Sequence, residues 1–301
     1  MPGANFRALR RRSQVVRQRS AKPLYGGSNP PGASRPLLGT PNAVATSLRI
    51  ALLLGLATSL ARCGRSPDAE PFQIVARYPH DPTAYTQGLV YADGVLFEST
   101  GRHGHSQLRR VDLQTGRVLA SVALSADRFG EGLALLRGRL YQLTWKEGVA
   151  YVYDAVTLAR IDSLRYPGEG WGLATDGESL ILSDGSDSLR FVSAATFAVR
   201  RVVHVRYRGA PLRYINALDY VGGELLANVY RSDWILRIDP RTGEVRDLYD
   251  CADLYPKRRR PSSADVMNGI ATADSGQFLL TGKLWPVMFR VRWKGAGRSG
   301  P

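Results

Sequence analysis

Phe129-Gly130-Glu131-Gly132-Leu133 runs into Ala134-Leu135-Leu136-Arg137-Gly138-Arg139-Leu140-Tyr141-Gln142-Leu143-Thr144-Trp145. It reads as a short strand, a turn containing glycine, and a second strand that ends on an aromatic residue. The pattern recurs. A variable residue, a small one and an aliphatic one stand together at Gln87-Gly88-Leu89, Glu131-Gly132-Leu133, Trp171-Gly172-Leu173, Asn216-Ala217-Leu218 and Asn268-Gly269-Ile270, with first residues offset by 44, 40, 45 and 52. A period in the forties with strand, turn and strand in each unit predicts the blades of a β-propeller. Five such units account for the chain after residue 70.

Each unit then offers two special positions, one opening its first strand and one closing its second. The closing position, seventh after the turn glycine, holds Gly101, Trp145, Asp184, Tyr230 and Lys283. In an antiparallel pair the two positions are neighbours, so around a fivefold axis they converge on one mouth of the central channel. That mouth would collect Gln87, Glu131, Trp171, Asn216, Asn268, Trp145, Asp184, Tyr230 and Lys283. A purely structural repeat would keep one residue type there; this mixture of polar, charged and aromatic groups marks an active site.

The outer half of each unit reads as two further strands: Leu108–Asp112 then Thr115–Val118, Ala150–Asp154 then Leu158–Ile161, Leu189–Val192 then Ala198–Arg200, and Ile235–Asp239 then Thr242–Val245. The fifth unit lacks its outermost strand, while Phe72-Gln73-Ile74-Val75-Ala76-Arg77-Tyr78 has no blade of its own. Pairing that segment with the last blade closes the ring and removes an open edge. The expected fold is all-β, a closed five-bladed propeller over residues 72–293. The longest insertion, from Tyr249 to Ala264 with Lys257-Arg258-Arg259-Arg260-Pro261, reads as a solvated loop.

The 301 residues carry a formal charge of +15, which suggests a nucleic-acid partner until its distribution is considered. Residues 1–65 hold eleven of the 41 basic side chains and none of the 26 acidic ones, so the remainder carries about +4. The basic excess is an amino-terminal tail, and a nucleic-acid role is excluded for the folded part. Residues 1–43, rich in Arg, Pro, Gly and Ser, read as disordered. Residues 44–65 read as signal peptide and stem: Arg49, the apolar run Ile50–Ala57, then small residues before Ala61. The long tail ahead of this signal fits a start assigned upstream of a true one near Val44. The catalytic domain is expected over 66–301, in an exported protein, periplasmic or secreted. Leu60-Ala61-Arg62-Cys63 resembles a lipoprotein cleavage box, with Arg62 where a small residue is expected; a membrane partner would follow only from lipidation of Cys63. Cys251 is the one other cysteine, and a structural disulfide is not expected.

His103-Gly104-His105 reads as an exposed loop, since four histidines without a helix motif make a poor metal site. No nucleophile elbow, P-loop or dinucleotide fingerprint occurs. Glu131 differs from these. Glycines on both sides permit close backbone approach, and Phe129, Trp145 and Trp171 would wall it in. A carboxylate there should have a raised pKa and suit proton transfer near neutrality. Lys283, in Thr281-Gly282-Lys283-Leu284-Trp285-Pro286, is a cation suited to an oxyanion, or else a plain ion-pair partner of Glu131.

These residues resemble the plant and bacterial type of glutaminyl cyclases, glutaminyl-peptide cyclotransferases built on a five-bladed propeller. The resemblance spans about Tyr78 to Val291. It is carried by Pro79-His80-Asp81-Pro82-Thr83-Ala84-Tyr85-Thr86-Gln87-Gly88, Leu96-Phe97-Glu98-Ser99-Thr100-Gly101, Phe129-Gly130-Glu131-Gly132, Gly170-Trp171-Gly172-Leu173-Ala174-Thr175-Asp176-Gly177, Asn268-Gly269-Ile270-Ala271 and Thr281–Pro286. It implies an aminoacyltransferase that converts amino-terminal glutamine of peptides to pyroglutamate and ammonia, with no cofactor or metal; a monomer is expected. It also implies Glu131 as acid/base, Lys283 and Asn216 assisting the carbonyl, Gln87 binding the substrate, and Phe129, Trp145 and Trp171 as aromatic walls; Tyr230, Asn268 and Asp184, from the mouth positions, and Tyr85 are expected around the substrate with them. Tyr85 stands where phenylalanine is usual, Tyr230 where tryptophan is common, and Ala217 and Asp219 where glutamates flank Asn216. Two other readings compete: a non-catalytic propeller binding peptide or glycan at the mouth, and a metal-dependent propeller hydrolase such as a lactonase. The second would need more carboxylate ligands on the axis than Glu131 and Asp184.

Overall fold

The computed structural model describes residues 72–274 and 276–293. The expected tail, signal peptide and stem, with Cys63, lie outside the described residues. The chain enters as β1 (Phe72–Pro79) and then builds four blades in succession. They are β2 to β5 (Thr86–Ala92, Val95–Thr100, Gln107–Val111, Val118–Ala123), β6 to β9 (Gly130–Leu136, Arg139–Thr144, Val149–Asp154, Arg160–Arg165), β10 to β13 (Leu173–Thr175, Ser179–Ser183, Ser188–Ser193, Val199–His204) and β16 to β19 (Ile215–Val221, Glu224–Val229, Trp234–Ile238, Val245–Asp250). A two-stranded hairpin, β14 (Arg206–Tyr207) with β15 (Ala210–Pro211), separates the third and fourth. The fifth blade is β20 (Met267–Asp274), β21 (Gln277–Gly282), β22 (Val287–Trp293) and, as its outermost strand, β1. The ring closes as expected: β1 runs antiparallel to β22 from Phe72 opposite Trp293 to Pro79 opposite Val287.

Local chemistry starts the first, second and fourth blades. Ala92 pairs with Val95 across Asp93-Gly94, both at positive φ (51° and 79°), the backbone that a two-residue hairpin turn requires. Arg137-Gly138 and Gly222-Gly223 repeat it. The outermost strands begin later than the sequence reading places them, at Val118, Arg160, Val199 and Val245. The residues in front of them are turns. Asp112 Oδ1 accepts from the amide and hydroxyl of Thr115, and Asp154 Oδ1 does the same for Thr157. An aspartate closing the third strand thus draws the chain into a turn before β pairing resumes.

Five hydrophobic clusters hold the described residues together, and each lies between two successive blades. One of them joins the last blade to the first through Tyr78, Leu89, Leu96, Ala271, Leu279 and Met288. Burying those side chains on both blades leaves no free sheet face between them.

The loop after β19 is less solvated than expected. Lys257, Arg258 and Arg259 are exposed, but Arg260 donates to Asp233 (2.8 Å) and to the Tyr255 carbonyl (2.6 Å) and lies 4.5 Å from the Trp285 ring. A planar guanidinium can bond a carboxylate and a carbonyl at its edge while its face meets an aromatic ring, which ties this loop to Trp285, two residues after Lys283. Cys251, under the same loop, is buried and carries a free thiol.

Candidate active site

The polar residue of the repeat frame stands on a β-bulge. In β2 the register shifts between Thr86 and Gly88, in β6 between Gly130 and Leu133, in β16 between Ile215 and Leu218, and in β20 between Met267 and Ile270. Gln87, Glu131, Asn216 and Asn268 lie inside those shifts, the last three together with the small residue that follows each. A bulge re-aims a side chain out of the strict alternation, so these groups turn to the mouth while their neighbours stay in the sheet. The small residue that follows has a separate reason. A Cβ on Gly88 would lie 2.5 Å from Leu133 N, one on Gly132 2.4 Å from Leu173 N, and one on Gly172 1.9 Å from the Asn216 carbonyl oxygen. The inner strands of neighbouring blades meet at these glycines, which brings the polar residues of adjacent blades together.

The result is a hydrogen-bonded row. Asn268 Nδ2 donates to Gln87 Oε1 at 3.1 Å and to the Thr86 carbonyl at 3.0 Å; Gln87 Nε2 donates to Glu131 Oε1 at 2.8 Å. The order of donors fixes the orientation of the Gln87 amide. The Glu131 main-chain carbonyl accepts from the Ser99 hydroxyl, which itself accepts from Gln142 Nε2 at 2.8 Å. Glu131 is 5 % exposed, and among the described residues Gln87 is the one side-chain donor to its carboxyl. Burial pushes its pKa well above the ordinary carboxylate range; the charge of Lys283 opposes the rise, while Glu147 and Glu169 add to it.

Lys283 is 4 % exposed, and burial lowers its pKa against the pull of Glu131 and Asp265. Its ammonium lies 4.7 Å from the Tyr85 ring and 5.2 Å from the Tyr230 ring, a cation held between aromatic faces. No ion pair within 4.0 Å joins Lys283 to Glu131 among the described residues, so the two share the pocket without closing on each other. Asn216 is buried and its Oδ1 has no protein partner.

The aromatic side chains form two groups. Phe129 packs edge-on against Tyr85 (6.1 Å) and tilts against Trp145 (5.6 Å); Trp171 packs edge-on against Tyr230 (5.5 Å). Asp184 stands apart from this set. Its carboxylate caps its own loop through Ser186 and pairs with Arg190 at 3.3 Å, whose guanidinium also donates to the carbonyls of Pro167 and Glu169. Asp219, beside Asn216, accepts from the Thr272 hydroxyl at 2.5 Å, and both line an axial cavity of about 230 Å³ with Leu89, Leu133, Leu173 and Leu218.

Sequence reasoning missed four polar groups. Glu169 accepts both indole N–H groups, from Trp145 at 2.8 Å and from Trp171 at 2.9 Å. Asp265 accepts from the Tyr85 hydroxyl at 3.2 Å. Glu98 and His80, read only as motif residues, form a buried pair at 3.0 Å; Glu98 also accepts from Thr86, and a ring nitrogen of His80 donates to the Trp285 carbonyl. Burial alone would lower the His80 pKa, but the Glu98 charge and hydrogen bond outweigh it and raise it. The signal for Glu169 was present: it stands two residues before the frame, as Tyr85, Phe129 and Tyr214 do in other blades.

With this geometry established, the comparisons with known proteins are specific. A glutaminyl-peptide cyclotransferase of Arabidopsis thaliana is 41% identical over 234 residues, covering 76% of this chain and 73% of the relative. The crystal structure of Myxococcus xanthus glutaminyl cyclase superposes with a TM-score of 0.69 at 38% identity, over 75% of this chain and 98% of that one. The family model described as glutamine cyclotransferase matches residues 48–293. The chain therefore belongs to the glutamine cyclotransferase family.

Proposed function

We propose that the protein is a glutaminyl-peptide cyclotransferase, an acyltransferase acting on peptides that begin with glutamine. The observation that carries the chemistry is Glu131: a buried carboxyl, raised in pKa, held on one oxygen by Gln87 and opening beside a buried cation. The substrate's free α-amine attacks its own side-chain amide carbon. A new C–N bond closes the five-membered ring, the bond to the amide nitrogen breaks, and ammonia leaves. Nucleophile and electrophile belong to one residue, so the pocket's task is to hold that residue folded. Glu131 takes the proton from the attacking amine and returns it to the departing nitrogen. Lys283 and the Asn216 amide bear the charge that gathers on the carbonyl oxygen, donors of a kind typically worth about 3–4 kcal/mol each. Gln87, itself fixed by Asn268, holds Glu131, and Phe129, Trp145, Trp171, Tyr85 and Tyr230 enclose the folded side chain.

The test is direct. Purified protein incubated with a Gln-initiated peptide releases ammonia and leaves a product lighter by its mass, and the rate is unchanged by EDTA or phenanthroline. An inert protein overturns the assignment; activity lost to chelators and restored by zinc overturns the metal-free scheme.

We also infer export, from Arg49, the apolar run 50–57 and the small residues before Ala61. The mature enzyme is then periplasmic or secreted, or anchored if Cys63 is lipidated. All groups of the site come from one chain, so a monomer suffices for it. Mass spectrometry of protein from its native host should find an amino terminus near residue 62; intact residues 1–60 on a cytoplasmic protein would reject export.

A further inference from the structure

We propose that Glu169 is a positioning residue for the cyclisation: its carboxylate holds the indoles of Trp145 and Trp171 as the two walls between which the substrate side chain folds. This rests on the cyclase reading of the pocket and adds a residue that neither reacts nor lines the row of Asn268, Gln87 and Glu131.

One oxygen, Oε2, accepts from Trp145 Nε1 at 2.8 Å and from Trp171 Nε1 at 2.9 Å. The two tryptophans come from different blades: Trp145 follows β7, and Trp171 precedes β10. An indole has one donor, so engaging it removes the freedom of the ring to swing about its last torsion. Two such bonds to one charged oxygen are stronger than neutral ones and make the two rings a single unit. The other oxygen lies 3.7 Å from Lys146 Nζ, which itself lies 4.1 Å from the Trp145 ring.

The backbone that carries Glu169 is itself fixed from behind. Arg190, paired with Asp184, donates to the Glu169 carbonyl at 3.0 Å and to the Pro167 carbonyl at 2.8 Å, and the next residue, Gly170, donates its amide to the Trp145 carbonyl. Gly185, after Asp184, lies directly under the Trp171 ring; a Cβ there would come within 2.7 Å of it. The far edges of the walls meet Phe129 and Tyr230. Asp184 thus acts through Arg190 on the loop that carries Glu169, which gives that residue a place in the same device. In the other blades the position two before the frame carries Tyr85, Phe129, Tyr214 and Val266, and this blade alone puts an acid there.

The charge of Glu169 has a second consequence. The ionisable groups acting on Glu131 are Lys283, Glu147 and Glu169, with Tyr166 also in range. Removing one anion makes the ionised form of Glu131 less costly, so the acidic limb of the kcat profile should move to lower pH. On one peptide the substrate's own amine contributes equally to both proteins, and the difference belongs to the enzyme.

The experiment compares the full chain with its Glu169→Ala and Glu169→Gln variants. Glu169→Ala frees both indoles, and KM for a Gln-initiated peptide should rise about tenfold, the equivalent of one charged hydrogen bond, with a smaller change in kcat. Glu169→Gln keeps an acceptor oxygen in place, so KM should stay within about twofold while the acidic limb still shifts down. The indole N–H signals of the protein's 5 tryptophans give a readout independent of turnover: two of them should move in Glu169→Ala. An unchanged KM in Glu169→Ala, or indole signals that stay in place, would overturn the proposal. If Glu169→Ala does not fold, Glu169→Gln decides: the neutral amide is a weaker acceptor than the carboxylate, so two indole N–H signals should still shift, and signals that stay in place overturn the proposal. Wild-type protein that releases no ammonia refutes the cyclase reading instead, and the indole spectrum still reports on the walls.

Discussion

Glu131→Gln should lower turnover on a Gln-initiated peptide by roughly a hundredfold or more while leaving the melting temperature at neutral pH unchanged or slightly raised. The substitution keeps the size of the side chain and an oxygen that can still accept from Gln87 Nε2, so the row through Asn268 survives. What it removes is the oxygen that can take a proton. The stability expectation follows from the sign of the pKa shift. The folded-state pKa of Glu131 is raised above 4.5, so the native state binds more protons than the unfolded chain once pH passes 4.5. Stability is lost as pH rises through that window, and an uncharged amide escapes the loss. If Glu131 served only to neutralise a buried cation, the same change would strand that cation. It would then cost about 3–5 kcal/mol and several degrees in melting temperature. Turnover and thermal melts on one preparation separate the two, and a fully active Glu131→Gln protein ends the case for acid/base catalysis there.

Lys283→Met is the second large effect, with turnover expected to fall about 10²- to 10³-fold. Methionine fills similar space between Tyr85 and Tyr230 without charge, so binding of a pyroglutamyl product analogue should be largely kept. The pH profile carries the sharper sign. Lys283 is the group that holds the Glu131 pKa down, and its removal should move the acidic limb to higher pH, opposite to the shift expected for Glu169→Gln. Its ammonium is itself disfavoured by burial, so the apolar side chain should not destabilise the fold. A profile that stays in place in Lys283→Met would show that the two groups are not coupled.

The architecture was legible because a propeller repeats one unit. The spacing of Gln87, Glu131, Trp171, Asn216 and Asn268 predicts five blades, and the unpaired segment from Phe72 to Tyr78 predicts how the ring closes. Alternation alone reads the turn positions before Val118 and Arg160 as strand, because it does not register the side-chain hydrogen bonds through which Asp112 and Asp154 set those turns.

By itself, the sequence determined the blade number, the closure and the set of residues that can reach the mouth, since strand period and repeat length depend on local chain geometry alone. Tertiary structure decided how those residues are used. The bulges that aim Gln87, Glu131, Asn216 and Asn268 exist only once two strands are in register, and the close approach at Gly88, Gly132 and Gly172 exists only between blades. Asp184, expected beside the substrate, is bound to Arg190 in its own loop, while Glu169, two residues ahead of the repeat frame, joins the two tryptophans. The pKa of Glu131 belongs to the same class of property. Burial and the distances to Lys283, Glu147 and Glu169 set it, and those distances arise only when blades far apart in the chain close around one axis.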